Sequence, residues 1–314
     1  MKDPRAPLDP QVQALFELMA PGREARVLEA KALREGFAEL EPFLNADSPQ
    51  VARESEIRIP GPAGELRALV FEPEGAGPHP VLLLLHGGGW VIMSPESHAR
   101  LARTLCVDAG LYVVSLDYRM APEDRYPAAL DDCVAAVRWL RASAASLGVD
   151  ARRLALAGDS AGGQLSAATT LRLLTAGEEP PRALALLCPV CDMALDTESY
   201  RTLSPDDPVL DDAIMRFFRD SWVDPEQWDD PCVSPLRASS ETLAGFPPTL
   251  VLAAGIDPLR DEALRFADRL REAQVDVSLV RAEGMPHDFM LFPGIDAGPR
   301  ALARVTTFLR TRLG

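Results

Sequence analysis

Lysine is nearly missing from this sequence: of its 32 basic residues only Lys2 and Lys31 are lysines. Set against 47 acidic residues, the basic ones leave a net charge of −15, and no basic cluster stands out from that background. A phosphate backbone finds no electrostatic footprint on such a chain, so nucleic acid is excluded as a partner. The preference for arginine reads as coding bias. Long apolar runs are missing too. No stretch approaches the ~18 residues of a membrane-spanning helix, and the segment from Met1 to Pro7 carries no apolar run of the kind a secretion signal has. Cysteine is scarce and odd in number, five in 314 residues, which fits reduced thiols better than a disulfide framework. These absences predict a cytoplasmic protein with no membrane partner. The sequence also has no internal repeat and no low-complexity segment.

What is present is 47% hydrophobic and 25% charged, with a mean hydropathy near zero, the profile of a globular chain with a sizeable core. The length suits one large α/β domain with an added subdomain, or two ordinary domains. The first 45 residues read as helical, with Val12, Leu15, Phe16 and Met19 forming a stripe that needs a partner surface. Runs at Glu56 to Ile59 and Leu66 to Phe71, divided by Pro60-Gly61-Pro62-Ala63-Gly64, predict a hairpin. Continuous apolar runs then alternate with helical stretches: Val81 to Leu85, Leu111 to Leu116, Leu154 to Ala157, Ala183 to Leu187 and Thr249 to Ala253. Buried parallel strands have this pattern. Helices are expected to start at Ser94-Pro95 and at Pro127, the second running to about Ser146. A helix near Arg260 to Arg271, a strand near Val277 to Arg281 and a last helix complete an α/β alternation with a mostly parallel sheet. Residues Asp192 to Pro248 interrupt it. They are rich in proline, carry the turn signal Ser204-Pro205-Asp206-Asp207 and an amphipathic helix with Ile214, Phe217, Phe218 and Trp222, and read as an inserted cap.

Two glycine-rich segments follow predicted strands. Gly158-Asp159-Ser160-Ala161-Gly162-Gly163 lies between an apolar run and a helical stretch, the strand–turn–helix setting of a Gly-x-Ser-x-Gly nucleophile elbow. So sharp a turn needs glycines two residues either side of the serine so that the backbone can crowd. The bland alternative is a phosphate-binding or merely structural β-to-α turn. His86-Gly87-Gly88-Gly89-Trp90 follows Leu85, where side-chain-free residues can aim backbone N–H groups into a cavity and so stabilise an oxyanion; its alternative is a flexible connection.

A serine hydroxyl needs a base, and the chain has four histidines: His79, His86, His98 and His287. His79 lies in a proline-glycine loop, His86 opens the glycine loop, and His98 lies in a helical first turn. His287, in Gly284-Met285-Pro286-His287 after the last strand, is the one that follows the nucleophile. An acid is required between them, and Asp257 follows the Thr249 to Ala253 run through Gly255-Ile256. Asp261 is the competitor, better suited to supplying negative charge to the first turn of its helix.

These motifs resemble the hormone-sensitive-lipase-like family of bacterial carboxylesterases, within the α/β-hydrolase superfamily. The likeness spans about residues 55 to 292 and includes Asp117-Tyr118-Arg119-Met120-Ala121-Pro122-Glu123, Pro127-Ala128-Ala129-Leu130-Asp131-Asp132 and Asp257-Pro258-Leu259-Arg260-Asp261-Glu262. The resemblance implies a mostly parallel central sheet flanked by helices, under a helical cap. It implies Ser160 as nucleophile, His287 as base, Asp257 as orienting acid, and the N–H groups of Gly88, Gly89 and Ala161 as the oxyanion hole. Residues 1–50 and 192–248 are expected to form the cap, and 51–191 and 249–314 the core. Trp90 and Met93 from the glycine loop, with Phe217 and Phe218 from the cap, are the expected substrate contacts. Two departures stand out: Asp288 follows the base where the family usually has glycine, and Met93 replaces a common small residue.

The reaction implied is hydrolysis of short- to medium-chain acyl esters through an acyl-enzyme, with no cofactor and no metal. Acyl transfer, or hydrolysis of a specialised ester, lactone or carbamate, is the alternative, and a non-catalytic small-ligand receptor on the same fold a distant third. The partner expected is a small-molecule ester, with a homodimer left open. Cys188-Pro189-Val190-Cys191 has metal or redox spacing but no second pair, and Cys106, Cys133 and Cys232 read as buried or spare thiols. Asp131-Asp132 and Asp206-Asp207 read as solvated or capping carboxylates.

Overall fold

The computed structural model describes residues 8–24, 27–203, 207 and 209–314. The expectations for Met1 to Pro7, and those for Ser204, Pro205 and Asp206, lie outside the described residues. In chain order the elements are α1 (Pro10–Glu24), α2 (Ala30–Leu44), β1 (Arg53–Gly61), β2 (Gly64–Glu72), β3 (His79–Leu85), α3 (Ala99–Ala109) and β4 (Tyr112–Asp117). Next come α4 (Ala128–Leu147), β5 (Val149–Asp159), α5 (Ser160–Thr175), β6 (Ala183–Leu187), α6 (Glu198–Leu203), α7 (Asp212–Trp222) and α8 (Ser240–Leu243). The chain closes with β7 (Thr249–Ala254), α9 (Arg260–Glu272), β8 (Val277–Ala282) and α10 (Ala297–Leu313).

The strands form one sheet in the order β1-β2-β4-β3-β5-β6-β7-β8, with β1, β2 and β4 paired antiparallel and every later neighbour parallel. The central strands are mostly apolar through their middles because both faces are covered. On β3, Val81, Leu83 and Leu85 join the core under α4, α5 and α9, and Leu82 and Leu84 join the core under α3 and α10. That period-2 division is what alternate side-chain directions impose on a strand buried on both faces.

The N-terminal stripe finds its surface: Val12 and Leu15 are buried with Leu291, Ile295 and Leu302, and Phe16 and Met19 pack against the same cluster. Helix α2 lies elsewhere, its Ala30 and Leu33 joining the other core together with Ile214, Phe218 and Trp222 of α7. Arg34 pins α2 beside the glycine loop, with Nε donating to the Val91 carbonyl at 2.7 Å and Nη2 to the Ala121 carbonyl at 2.7 Å.

Two local expectations need correction. Ser94-Pro95 does not open a helix. Ser94 and Ser97 bond to each other in a separate turn, and α3 starts at Ala99 after His98, whose φ of −104° and ψ of 9° are not helical. That break lets the His98 ring turn inward. Strand β5 begins five residues earlier than its apolar run, at Val149, and the register against β3 shifts between Pro80 and Val81, where the partner jumps from Asp150 to Leu154. The residues absorbed there include Arg152 and Arg153, whose charges disguise the strand.

Candidate active site

Strand β5 ends at Asp159, and Ser160 turns directly into α5 with φ of 50°, a left-handed value that a serine adopts only when its surroundings hold it there. Close approach explains the flanking glycines. A Cβ on Gly162 would lie 1.9 Å from the Leu85 carbonyl oxygen, and one on Gly158 would lie 2.4 Å from Gly162 itself. The glycine loop after β3 is just as tightly held. A Cβ on Gly89 would strike the Phe218 ring at 2.2 Å, and one on Gly87 would strike Asp159 Oδ2 at 2.2 Å. The N–H groups of Gly88 and Gly89 have no acceptor among the described residues, and Ala161 N–H lies in the first turn of α5, which lacks intrahelical acceptors.

His287 and Asp257 are in direct contact: Nδ1 lies 2.8 Å from Asp257 Oδ2, while Asp257 Oδ1 accepts the Leu259 N–H at 2.8 Å. Both side chains are buried. The other ring nitrogen does not reach the serine. His287 Nε2 sits 3.1 Å from Asp288 Oδ2, and Ser160 Oγ makes no hydrogen bond among the described residues. Burial disfavours a charged His287 ring, but Asp257 and Asp288 outweigh it and hold the imidazolium well above the ordinary histidine range. Asp261 faces another way, pairing with Arg260 at 2.8 Å and accepting the Ser199 N–H at 2.9 Å.

The expected substrate contacts are arranged unevenly. Trp90 is fully buried, stacked 4.0 Å from Trp222 of α7 with Nε1 donating to Gln164 Oε1 at 3.1 Å, so it backs the loop rather than lining open space. Phe218 packs on Gly89, and Phe217, half-buried, lies with its ring centroid 6.0 Å from that of Phe218. Met93 is also half-buried, with φ of 70°. Positive φ at Trp90, Met93, Ser160, Cys188 and Asp288 concentrates backbone strain around one cluster, at roughly 1–3 kcal/mol each.

Cys188 Sγ lies within 4.8 Å of ligand atoms on Asp257 and His287. This set could hold a soft divalent ion only by opening the Asp257–His287 bond, which already occupies Nδ1. All five cysteines are unpaired, Cys188 and Cys191 included. Asp132 is a buried ion-pair partner of Arg119, meeting Nη2 at 2.8 Å, not a solvated carboxylate as expected.

The alpha/beta hydrolase fold family matches residues 82–291 of this chain. It belongs to that family. An ethyl acetate hydrolase of Pseudomonas putida is 34% identical over 296 residues, covering 90% of this chain and 92% of that protein. The carboxylic ester hydrolase LipN of Mycobacterium tuberculosis is 39% identical over 247 residues, 75% of this chain and 64% of LipN. Among solved structures, an esterase of Pyrobaculum calidifontis superposes with a TM-score of 0.91 at 33% identity, covering 97% of this chain and 99% of that one. The kinship with hormone-sensitive-lipase-like esterases read from the motifs therefore holds.

Sequence reasoning passed over one pair in this hydrolase. His98 is buried with Nε2 3.0 Å from Asp159 Oδ2 and 3.3 Å from the Gly87 nitrogen, directly behind the elbow and the glycine loop. Its position at the start of a helix disguised it. Its neighbour His86 is stacked 4.2 Å from Tyr118, and burial, with His98 adding to it, pulls its imidazole down to about 4. For His98, burial opposes the charge but Asp159 outweighs it, so the ring is raised above its ordinary value. For Asp159, burial raises the carboxyl while His98 pulls it below its ordinary value. A lowered acid adds stability that is lost as pH falls through its folded-state value. A raised imidazole adds stability that is present below the ordinary histidine value and lost as pH rises. The pair therefore supports the fold most between about pH 4 and 6.5. His98→Ala, which strands a buried carboxylate, is expected to cost about 3–5 kcal/mol and of order 10 °C in thermal midpoint. Thermal denaturation from pH 5 to 8 checks this, with the deficit shrinking toward pH 8.

Proposed function

We propose that this hydrolase cleaves small carboxylic esters of short- to medium-chain acids, with Ser160 as nucleophile, His287 as base and Asp257 as the acid that orients the imidazole. In this reading Ser160 Oγ attacks the acyl carbon, His287 Nε2 takes its proton and returns it to the leaving alcohol, and water then releases the acyl-enzyme. The N–H groups of Gly88, Gly89 and Ala161 face the developing oxyanion, where donors without other acceptors act most strongly. The observation that carries the reading is the buried His287–Asp257 hydrogen bond of 2.8 Å, in the same cluster of charges as Asp159, the residue before the elbow serine. The ester-hydrolysing relatives support the substrate class.

The two segments 1–50 and 192–248 are read as parts of one cap over the core segments 51–191 and 249–314. Support comes from Arg34 bonded to the glycine loop and from Phe218 and Trp222 packed on Gly89 and Trp90. No described helix is long and apolar enough to cross a membrane, and five unpaired thiols favour a reducing, cytoplasmic setting.

Acyl length follows from the crowding. Each methylene contributes roughly 0.8 kcal/mol only while it finds apolar surface, and Phe218 on Gly89 with Met93 beside it leaves little length to fill. Catalytic efficiency toward p-nitrophenyl esters of about two to about sixteen acyl carbons is expected to peak at or below about eight. Triolein emulsion should be a poor substrate, and activation on entering emulsion would replace the esterase reading with a lipase.

A further inference from the structure

Three neighbouring strands each lead into a side chain of a type that binds metal ions. Cys188 follows β6, Asp257 follows β7 and His287 follows β8, and these strands are consecutive in the sheet. The Cys188 sulfur, an Asp257 carboxylate oxygen and a His287 ring nitrogen all lie within 4.8 Å of one another, and all three residues are buried. The backbone delivers the thiol there. Cys188 N–H donates to the Leu252 carbonyl at 2.8 Å, and its φ of 43° is a left-handed value held at a cost. Cys191 turns elsewhere, its Sγ 3.6 Å from the Pro189 carbonyl, and stands outside the set.

The proposed mechanism gives Cys188 no task. Burial, with Asp257 and Asp288 adding to it, holds it as a neutral thiol. The same two carboxylates make its surroundings negative, a field that favours a divalent cation and that such a cation reverses. Thiolate, imidazole and carboxylate are zinc donors with bonds of about 2.0–2.3 Å, so a tetrahedral ion holds them about 3.3–3.8 Å apart. The three side chains close onto an ion with shifts of about 1 Å.

We propose that Cys188, His287 and Asp257 form an inhibitory site for a soft divalent cation of the zinc type, with water in the fourth position. The inhibition, though not the site, rests on the assignment of His287 as the base. As the ion binds, the Cys188 S–H bond breaks, its proton leaves to water, and the sulfur bonds to the metal. His287 Nδ1 gives up its proton and donates its lone pair to the metal, and the ring regains a proton at Nε2. Asp257 Oδ2, freed of the Nδ1 proton, supplies the third bond, while Oδ1 keeps the Leu259 N–H at 2.8 Å. Thiolate and carboxylate together cancel the divalent charge, so the ion is buried without net charge. The ring is then fixed with hydrogen on Nε2 and offers no lone pair to Ser160 Oγ–H. Binding requires the 2.8 Å Asp257–His287 bond to open, so inhibition sets in slowly. Magnesium, which prefers oxygen donors and keeps its waters, is not taken up.

The test uses the purified, chelator-treated enzyme with Cys188→Ser and Cys188→Ala, assayed with p-nitrophenyl butyrate after incubation with Zn²⁺, Cd²⁺ or Mg²⁺. Zn²⁺ and Cd²⁺ are expected to remove about nine-tenths or more of kcat at micromolar levels, with a chelator restoring it, and Mg²⁺ at millimolar levels to leave it unchanged. Without metal, both variants should keep kcat/KM within about threefold, and each should need about 30-fold more Zn²⁺ for the same inhibition. Cd²⁺ titration should raise the ultraviolet thiolate-to-metal absorption in step with the loss of activity, saturating at one equivalent, and the band should be missing from either variant. Equal Zn²⁺ sensitivity in a folded variant overturns the proposal. In the unaltered protein alone, so does a missing band, or a band that rises without inhibition. The Cd²⁺ titration needs no ester: a metal-free protein that binds one ion through Cys188 but hydrolyses no ester would keep the site and defeat the esterase reading.

Discussion

Ser160→Ala is expected to lower kcat/KM toward an activated ester by about 10⁴- to 10⁶-fold, with the thermal midpoint nearly unchanged. The reaction proposed passes through a covalent bond to Oγ, so without that atom only binding and the glycine-loop donors remain. The fold should tolerate the change. Ser160 Oγ makes no hydrogen bond among the described residues, and the left-handed backbone at this position is held by neighbours on both sides, including the Val190 N–H donating to the Ser160 carbonyl at 3.2 Å. His287→Ala should lose a comparable factor, and the double variant should be hardly worse than either single one, because the two act in one proton transfer. Kinetics with p-nitrophenyl butyrate and fluorophosphonate labelling check this together. A multiplied loss in the double variant would mean that the two residues serve separate steps, and an unlabelled but active Ser160→Ala would move the nucleophile elsewhere.

How much of this was legible in the amino-acid sequence depends on what each feature requires. Parallel strands covered on both faces have to be apolar at successive positions, so β3, β4, β6 and β7 were readable to within a residue or two. The elbow and the glycine loop were readable because close approach leaves no room for a Cβ, as the 1.9 Å gap at Gly162 shows. The early part of β5 was not, since Arg152 and Arg153 carry charge into a strand that still pairs through its backbone. His98 was not, because its partner Asp159 lies 61 residues away and a single histidine has no periodicity. Asp288 was visible as an unusual neighbour of the base, but which way it points depends on a left-handed φ that the residue type does not dictate. Trp90 shows the opposite error. A bulky residue after the glycine loop reads as pocket lining, and the stacking with Trp222 encloses it.

Asp257→Asn is expected to cost on the order of 10³- to 10⁴-fold in kcat/KM, and Asp261→Asn less than about threefold. The difference follows from what each carboxylate holds. Asp257 Oδ2 takes the proton on His287 Nδ1, which fixes the tautomer with its lone pair on Nε2, and Oδ1 is anchored by the Leu259 N–H. An amide at this position can present its NH₂ to the ring, which favours a proton on Nε2 and a lone pair on the wrong nitrogen. Asp261 holds the start of α6 against α9 through Ser199 and pairs with Arg260, and asparagine keeps an acceptor for the Ser199 N–H. The measurement is kcat/KM for both single variants. Equal losses for the two aspartates would exchange their roles.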